Sequence, residues 1–349
     1  MILPQVDLYT LRTQRQELDV LRAALDAGAP QPLRAADRLP VEGKAFLYYY
    51  PPSGRPAARP LLLIYSLVNR PQILDLIEGI SFVERLQSLG HAVYLLDWGR
   101  PDASDAGVSL ADYVTGYLAA AVHAARSRHG AGNIDVVGVC QGGTLGLCLA
   151  SLKPGTIHRL VTVATPVDFQ TPGDSLAALA AHMDPQSLLG VDGNLPGRVL
   201  ACVFRLLACV RRGDRRRLPW LDPATRAMSK RLRQWQADYP DQAGRAWVEF
   251  VTACYRNNDL IAGRMSLDGL TVDPRQLDVP VLNVVAREDH LVPASASLAL
   301  GAIVNRRRYQ ELVIDGGHLS AIIGRRGLAT VPLAISCFLR AGSARKRSL

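Results

Sequence analysis

Cysteine pairs, long apolar runs and internal repeats are all missing from this chain, and each absence excludes a class of protein. The 349 residues hold six cysteines, and none forms a C-x-x-C pair. That excludes a disulfide framework and argues against a zinc ribbon or a dithiol redox module. No apolar run approaches the ~18 residues needed to cross a bilayer. The longest candidates are residues 61–68 and 199–210, and Arg205 interrupts the second. The first residues, with Pro4 and Asp7 among them, read as neither a signal nor a transit peptide. A reduced, soluble, cytoplasmic protein without a transmembrane segment is the expectation. What is present is a large apolar reservoir, 48% hydrophobic against 20% charged residues, which excludes global disorder. The net charge of +9 is compatible with nucleic acid, anionic lipid or a phosphorylated substrate and selects none of them.

Residues 1–43 stand apart as a predicted helical extension. Leu8, Leu11, Leu18, Leu21 and Leu25 recur at helical spacing, and Gly28-Ala29-Pro30 closes the helix. That stripe either packs on the body of the protein or docks on a partner or a hydrophobic surface. From residue 44 strands and helices alternate. Strands are predicted at 45–50, 61–68, 92–96, 134–139 and 160–164, with helices at 80–89, 110–128 and 144–152. Such alternation implies a mostly parallel sheet with right-handed crossovers. From about 167 to 270 the periodicity is helical, with no convincing strand. The alternation resumes at 279–286 and 309–314 and ends in a helix at 328–339. The simplest account is one α/β core, 44–166 and 271–340, interrupted by a helical cap at 167–270, with a basic tail at 341–349.

Gly138-Val139-Cys140-Gln141-Gly142 has the form G-x-C-x-G between a strand and a helix. This is the nucleophile-elbow pattern of the α/β-hydrolase fold with Cys in place of Ser. The nucleophile stands on a sharp turn, so small residues must flank it. The Gln141 N–H can then face a developing oxyanion, and the helix N-terminus favours thiolate. That fold orders its triad as nucleophile, acid, His. Asp289 and His318 each follow a predicted strand and fit that order, with Glu288 competing as the acid and His290 as the base. The histidines at 91, 123, 129, 158 and 182 are read as core or solvated residues. The second oxyanion donor is expected in the loop Ser66-Leu67-Val68-Asn69-Arg70-Pro71, at the Val68 N–H, while Asn69 and Arg70 can serve only to fix that loop. A thiolate attacking an oxygen ester makes a higher-energy thioester; attacking a thioester it makes an even exchange. A Cys elbow therefore favours thioesters, coenzyme A thioesters being the common ones, although Cys hydrolases of activated lactones use the same elbow.

The collinear set Leu67-Val68-Asn69-Arg70-Pro71, Asp97-Trp98-Gly99, Gly138-Val139-Cys140-Gln141-Gly142-Gly143-Thr144, Thr165-Pro166-Val167-Asp168-Phe169, Gly193-Asn194-Leu195-Pro196-Gly197, Pro240-Asp241-Gln242-Ala243-Gly244, Tyr255-Arg256-Asn257-Asn258-Asp259-Leu260, Asp289-His290-Leu291-Val292-Pro293 and Gly316-Gly317-His318 resembles the catalytic subunit of class III polyhydroxyalkanoate synthases. The resemblance runs from about residue 45 to 340. It implies an acyltransferase that polymerises 3-hydroxyacyl-coenzyme A, typically 3-hydroxybutyryl-coenzyme A, with no metal or redox cofactor. It implies that Cys140 holds the growing chain as a thioester, that His318 activates Cys140 and the incoming hydroxyl, and that Asp289 supports His318. It also implies a second, non-catalytic subunit, homo-oligomerisation, no nucleic-acid partner, and cytoplasmic polyester granules as the product. The arginine-rich stretch 211–217 departs from the family pattern and is either a solvated loop or a contact for coenzyme A phosphates or an acidic partner. Two rival readings remain: a cysteine α/β-hydrolase of thioesters or lactones, and a non-catalytic granule protein with a relic site.

Overall fold

A computed structural model describes residues 33–209 and 223–341 of the chain. The leucine stripe at 8–25, the arginine-rich stretch 211–217 and the tail beyond 341 lie outside the described residues. One eight-stranded sheet organises the rest. Its strands are β1 (Asp37–Pro40), β2 (Phe46–Tyr50), β3 (Leu61–Ile64), β4 (Val93–Asp97), β5 (Ile134–Val139), β6 (Ile157–Val163), β7 (Val281–Ala286) and β8 (Tyr309–Ile314). They lie side by side in the order β1-β2-β4-β3-β5-β6-β7-β8. The pairs β1/β2 and β2/β4 are antiparallel and all the others parallel.

The central strands are continuous apolar runs because both faces are covered. Alternate residues serve opposite faces. Leu61, Leu63, Val93, Leu95, Val137 and Val139 pack on the side of helices α1 (Phe82–Ser88) and, late in the chain, Arg325–Arg340. Leu62, Ile64, Tyr94, Leu96, Ile134 and Val136 pack against α2 (Ala119–His129) and α3 (Gln141–Leu152). Helix α1 starts where Ser81 Oγ accepts from the Glu84 N–H at 3.0 Å. Helix α2 stops at Gly130, whose φ of +58° supplies the left-handed cap.

Two expected boundaries move. Residues 37–40, expected to belong to a helical extension, instead form edge strand β1, which pairs antiparallel with β2. The Arg38 guanidinium stacks 3.4 Å from the centre of the Phe46 ring and helps hold that edge. At the other boundary, Met265–Leu267 and Leu270–Val272 form a small hairpin within a stretch read as strand-free. Met265, Leu267 and Val272 are buried in the same core as Cys148 and Leu145 of α3, so the core resumes before residue 271.

Between β6 and that hairpin lie helices α4 (Ser175–Ala181), α5 (Gly197–Cys209), α6 (Pro223–Ala237) and α7 (Gly244–Phe250), the last running on into π-helical turns at Val251–Arg256. Asn258 ties the two ends of this insertion together. Its Nδ2 donates to Asp168 Oδ1 at 2.7 Å, and its Oδ1 accepts from the Phe169 N–H at 2.9 Å. The chain returns to the core through β7 and β8 and ends in α8 (Arg325–Arg340).

Candidate active site

Cys140 terminates β5 with φ +55° and ψ −131°, a backbone conformation that few side-chain-bearing residues adopt. The turn is possible because the elements around it approach closely. A Cβ on Gly142 would stand 2.3 Å from the Ile64 carbonyl oxygen, and one on Gly143 2.0 Å from Thr165 Oγ1. The Cys140 N–H donates to the Val163 carbonyl at 2.9 Å, which anchors the elbow to β6. Its side chain is partly exposed and opens into a cavity of about 550 Å³.

Asp289 and His318 arrive from the loops after β7 and β8. Asp289 Oδ1 accepts from the Leu291 and Val292 N–H groups at 2.9 and 3.0 Å, which fixes the carboxylate plane. Its Oδ2 then accepts from His318 Nδ1 at 2.6 Å, both groups being buried. This bond leaves Nε2 as the nitrogen available to the sulfur. Burial works against an imidazolium, yet the Asp289 carboxylate and the Cys140 sulfur together raise the His318 pKa well above its ordinary value. Of the competing residues, Glu288 is exposed and lies off the cavity, while His290 lines the cavity beside His318. The acid that meets His318 is Asp289.

The loop after β3 differs from expectation. The Val68 N–H, the expected second oxyanion donor, is occupied: it donates to Ser66 Oγ at 3.0 Å. The Leu67 N–H donates to Gln141 Oε1 at 3.0 Å, and Ser66 Oγ donates to the same oxygen at 3.0 Å. The Gln141 side chain thus grips the loop from the elbow, an interaction that no spacing in the sequence announces. Arg70 fixes the loop, with Nη2 donating to Asp97 and Nη1 to the Gly99 carbonyl, each at 2.6 Å. Asn69 is buried at the cavity wall, its Oδ1 accepting from the Arg70 N–H at 2.6 Å.

Apolar side chains from the insertion, among them Leu200, Phe204, Trp235 and Phe250, roof the cavity. Tyr65, Tyr239 and Tyr255 also line it, and of these the sequence singles out only Tyr255, as part of a family motif. Tyr65 could have been added, since it directly precedes the loop already marked. Cys148, by contrast with Cys140, is sealed in the core beside Met265, where burial pushes its pKa up to about 12. Among the described residues no cluster of three or more His, Cys, Asp or Glu side chains could hold a metal ion, and no helix is long and apolar enough to cross a membrane.

A cysteine on a strained turn, a histidine paired to a buried carboxylate and an apolar roof form an arrangement competent for acyl transfer through a thioester. The sequence profile of the α/β hydrolase fold matches residues 60–324. The poly(3-hydroxyalkanoate) polymerase subunit PhaC of Allochromatium vinosum is 37% identical over 305 residues, covering 85% of this chain and 86% of that protein. The subunit of the same name from Synechocystis sp. is 37% identical over 310 residues, covering 85% of this chain and 82% of that protein. Among solved structures, carboxylesterase CesB from Bacillus subtilis superposes with a TM-score of 0.55 at 14% identity, covering 94% of this chain and 99% of that one. Epoxide hydrolase A from Mycobacterium thermoresistibile gives a TM-score of 0.55 at 15% identity, covering 87% of this chain and 98% of that one. At such identities the structural likeness speaks for the fold alone.

Proposed function

This chain belongs to the PhaC family of poly(3-hydroxyalkanoate) polymerases, acyltransferases on the α/β-hydrolase fold, and from that membership we propose that it polymerises (R)-3-hydroxyacyl-coenzyme A through a covalent thioester on Cys140. His318 accepts the Cys140 proton, and the thiolate attacks the thioester carbonyl carbon. The C=O π electrons move to oxygen, where the Gln141 N–H meets the developing charge. Collapse of the adduct breaks the bond to coenzyme A sulfur, and the departing thiolate takes its proton from His318. The 3-hydroxyl of a further 3-hydroxyacyl-coenzyme A then gives its proton to His318 and attacks the enzyme thioester. The new ester forms as the Cys140 thiolate leaves and takes that proton. A new attack of Cys140 on the lengthened coenzyme A thioester reloads the chain and releases coenzyme A. Asp289 holds the histidine tautomer and stabilises the imidazolium in both halves.

The observation that carries this reading is that Cys140 and His318, the latter held 2.6 Å from Asp289, line one apolar-roofed cavity. A cysteine hydrolase would need water there, and the roof of Leu200, Phe204 and Trp235 favours an alcohol delivered by the substrate itself. No dissociable cofactor enters the scheme. The purified chain incubated with 3-hydroxybutyryl-coenzyme A should release coenzyme A and form polymer. Release of free 3-hydroxybutyrate with no polymer would replace this reading by the hydrolase. The proposal extends to a second, non-catalytic subunit, to homo-oligomerisation and to residence on polyester granules in the cytoplasm. Co-purification from the native host tests the subunit, and a partner-free chain that polymerises without a lag would remove it.

A further inference from the structure

Two backbone donors of the β3 loop, including the expected one, are already used. Leu67 N–H is bound to Gln141 Oε1 and Val68 N–H to Ser66 Oγ, each at 3.0 Å. The Gln141 N–H, which opens α3 and has no acceptor within the helix, is free to meet an oxyanion on the Cys140 adduct. Acyl-transfer sites usually aim more than one donor at that oxygen.

The cavity wall offers another. Tyr65 directly follows β3, which pairs with β5 in a register that sets Ile64 opposite Gly138 of the elbow. Its ring is buried yet lines the same cavity as Cys140. Its carbonyl accepts from Trp98 Nε1 at 2.9 Å, and its ring meets Trp235 edge-on, with centroids 6.4 Å apart. Backbone and ring are therefore both held, while nothing among the described residues hydrogen-bonds the hydroxyl. Burial, with Cys140 and Tyr239 nearby, raises this phenol well above its ordinary pKa, so it keeps its proton and can only be a neutral donor or acceptor. Tyr255 lines the cavity too, but it belongs to the insertion and is packed between Phe169 and Phe250. It stands on the insertion, whereas Tyr65 adjoins the sheet that carries the elbow.

We infer that the Tyr65 hydroxyl donates a second hydrogen bond to the oxyanion formed when Cys140 attacks its acyl substrate, a role that rests on the nucleophilic function proposed for Cys140. The S–C bond forms as the carbonyl π pair moves to oxygen. Tyr65 and the Gln141 N–H share that charge without transferring a proton. The bonds loosen when C=O re-forms and coenzyme A thiolate leaves.

The test compares the full chain with its Tyr65→Phe variant in two reactions. The first is initial coenzyme A release from 3-hydroxybutyryl-coenzyme A. The second is alkylation of Cys140 by iodoacetamide, which uses the same thiolate and passes through no oxyanion. The variant should lose about 10²-fold in kcat with KM within about twofold, while the alkylation rate stays level. Release within about twofold of the parent would overturn the inference. So would alkylation slowed as much as release, which would put the phenol on the thiolate or reveal a damaged fold. A parent chain that alkylates normally but releases no coenzyme A would bring down the polymerase reading and this inference with it, an outcome readily told from failure of Tyr65 alone.

Discussion

At the scale of single residues, the two thiols of the elbow and helix α3 make the sharpest contrast. Cys140 is open to the cavity beside His318, whereas Cys148, two turns on, is sealed in the core with its pKa pushed up to about 12. Cys140→Ala should reduce coenzyme A release by ~10³-fold or more, because the covalent route disappears. Cys148→Ala removes a buried sulfur and should cost about 1 kcal/mol of stability while leaving most of the activity. Equal losses in coenzyme A release would move the nucleophile. Asp289→Asn should preserve the fold yet cut kcat by ~10³-fold, since an amide can stabilise the wrong imidazole tautomer. These residues were legible because their chemistry demands rare types at loop positions after strands. Asp289 was preferred to its neighbour Glu288 on order and loop position, and it is the carboxylate that the loop turns onto His318. The Val68 expectation failed because its amide is a generic donor, and the Ser66 hydroxyl that captures it lies two residues away on the same loop.

At the scale of elements, the central strands could be read directly, because burial on both faces forces continuous apolar runs such as Leu61–Ile64 and Ile134–Val139. Strand β1 and the hairpin at Met265–Leu267 could not, because they are short, half polar and owe their conformation to a partner strand. The insertion was legible as helical, but its attachment was not. That attachment centres on Asn258, which holds a left-handed φ of +54° while bonding both Asp168 and the Phe169 N–H. Asn258→Ala removes two hydrogen bonds and places a less tolerant residue in that conformation, for an expected loss of about 2–4 kcal/mol. Asn258→Gly restores the conformational freedom but not the bonds, and should recover roughly 1 kcal/mol of it. Denaturant midpoints of the two variants measure the difference. Identical midpoints would mean that backbone strain contributes nothing at this joint.

At the scale of the whole molecule, one buried histidine couples the fold to pH. His91 precedes β4, is 1% exposed, and shares a 2.9 Å hydrogen bond between Nε2 and Ser336 Oγ of α8. Its Nδ1 has no hydrogen-bond partner among the described residues, and Arg340 on the same helix stands close enough to oppose a second positive charge. Burial first, and Arg340 second, lower its pKa from 6.5 to about 4. The unfolded chain therefore binds a proton below pH ~6.5 that the folded chain refuses until about pH 4. Stability from this group is complete above the unfolded value and drains away as pH falls through that window, reaching about 2–4 kcal/mol below the folded value. Because α8 closes one face of the sheet, the proton is taken up by unfolding rather than by a local shift. His91→Leu removes the titration at the expense of the Ser336 bond. It should be less stable than the parent near neutral pH and lose less stability as pH drops toward about 4.5. Urea midpoints measured across that range decide the matter: parallel pH slopes for parent and variant would show that another group carries the acid sensitivity.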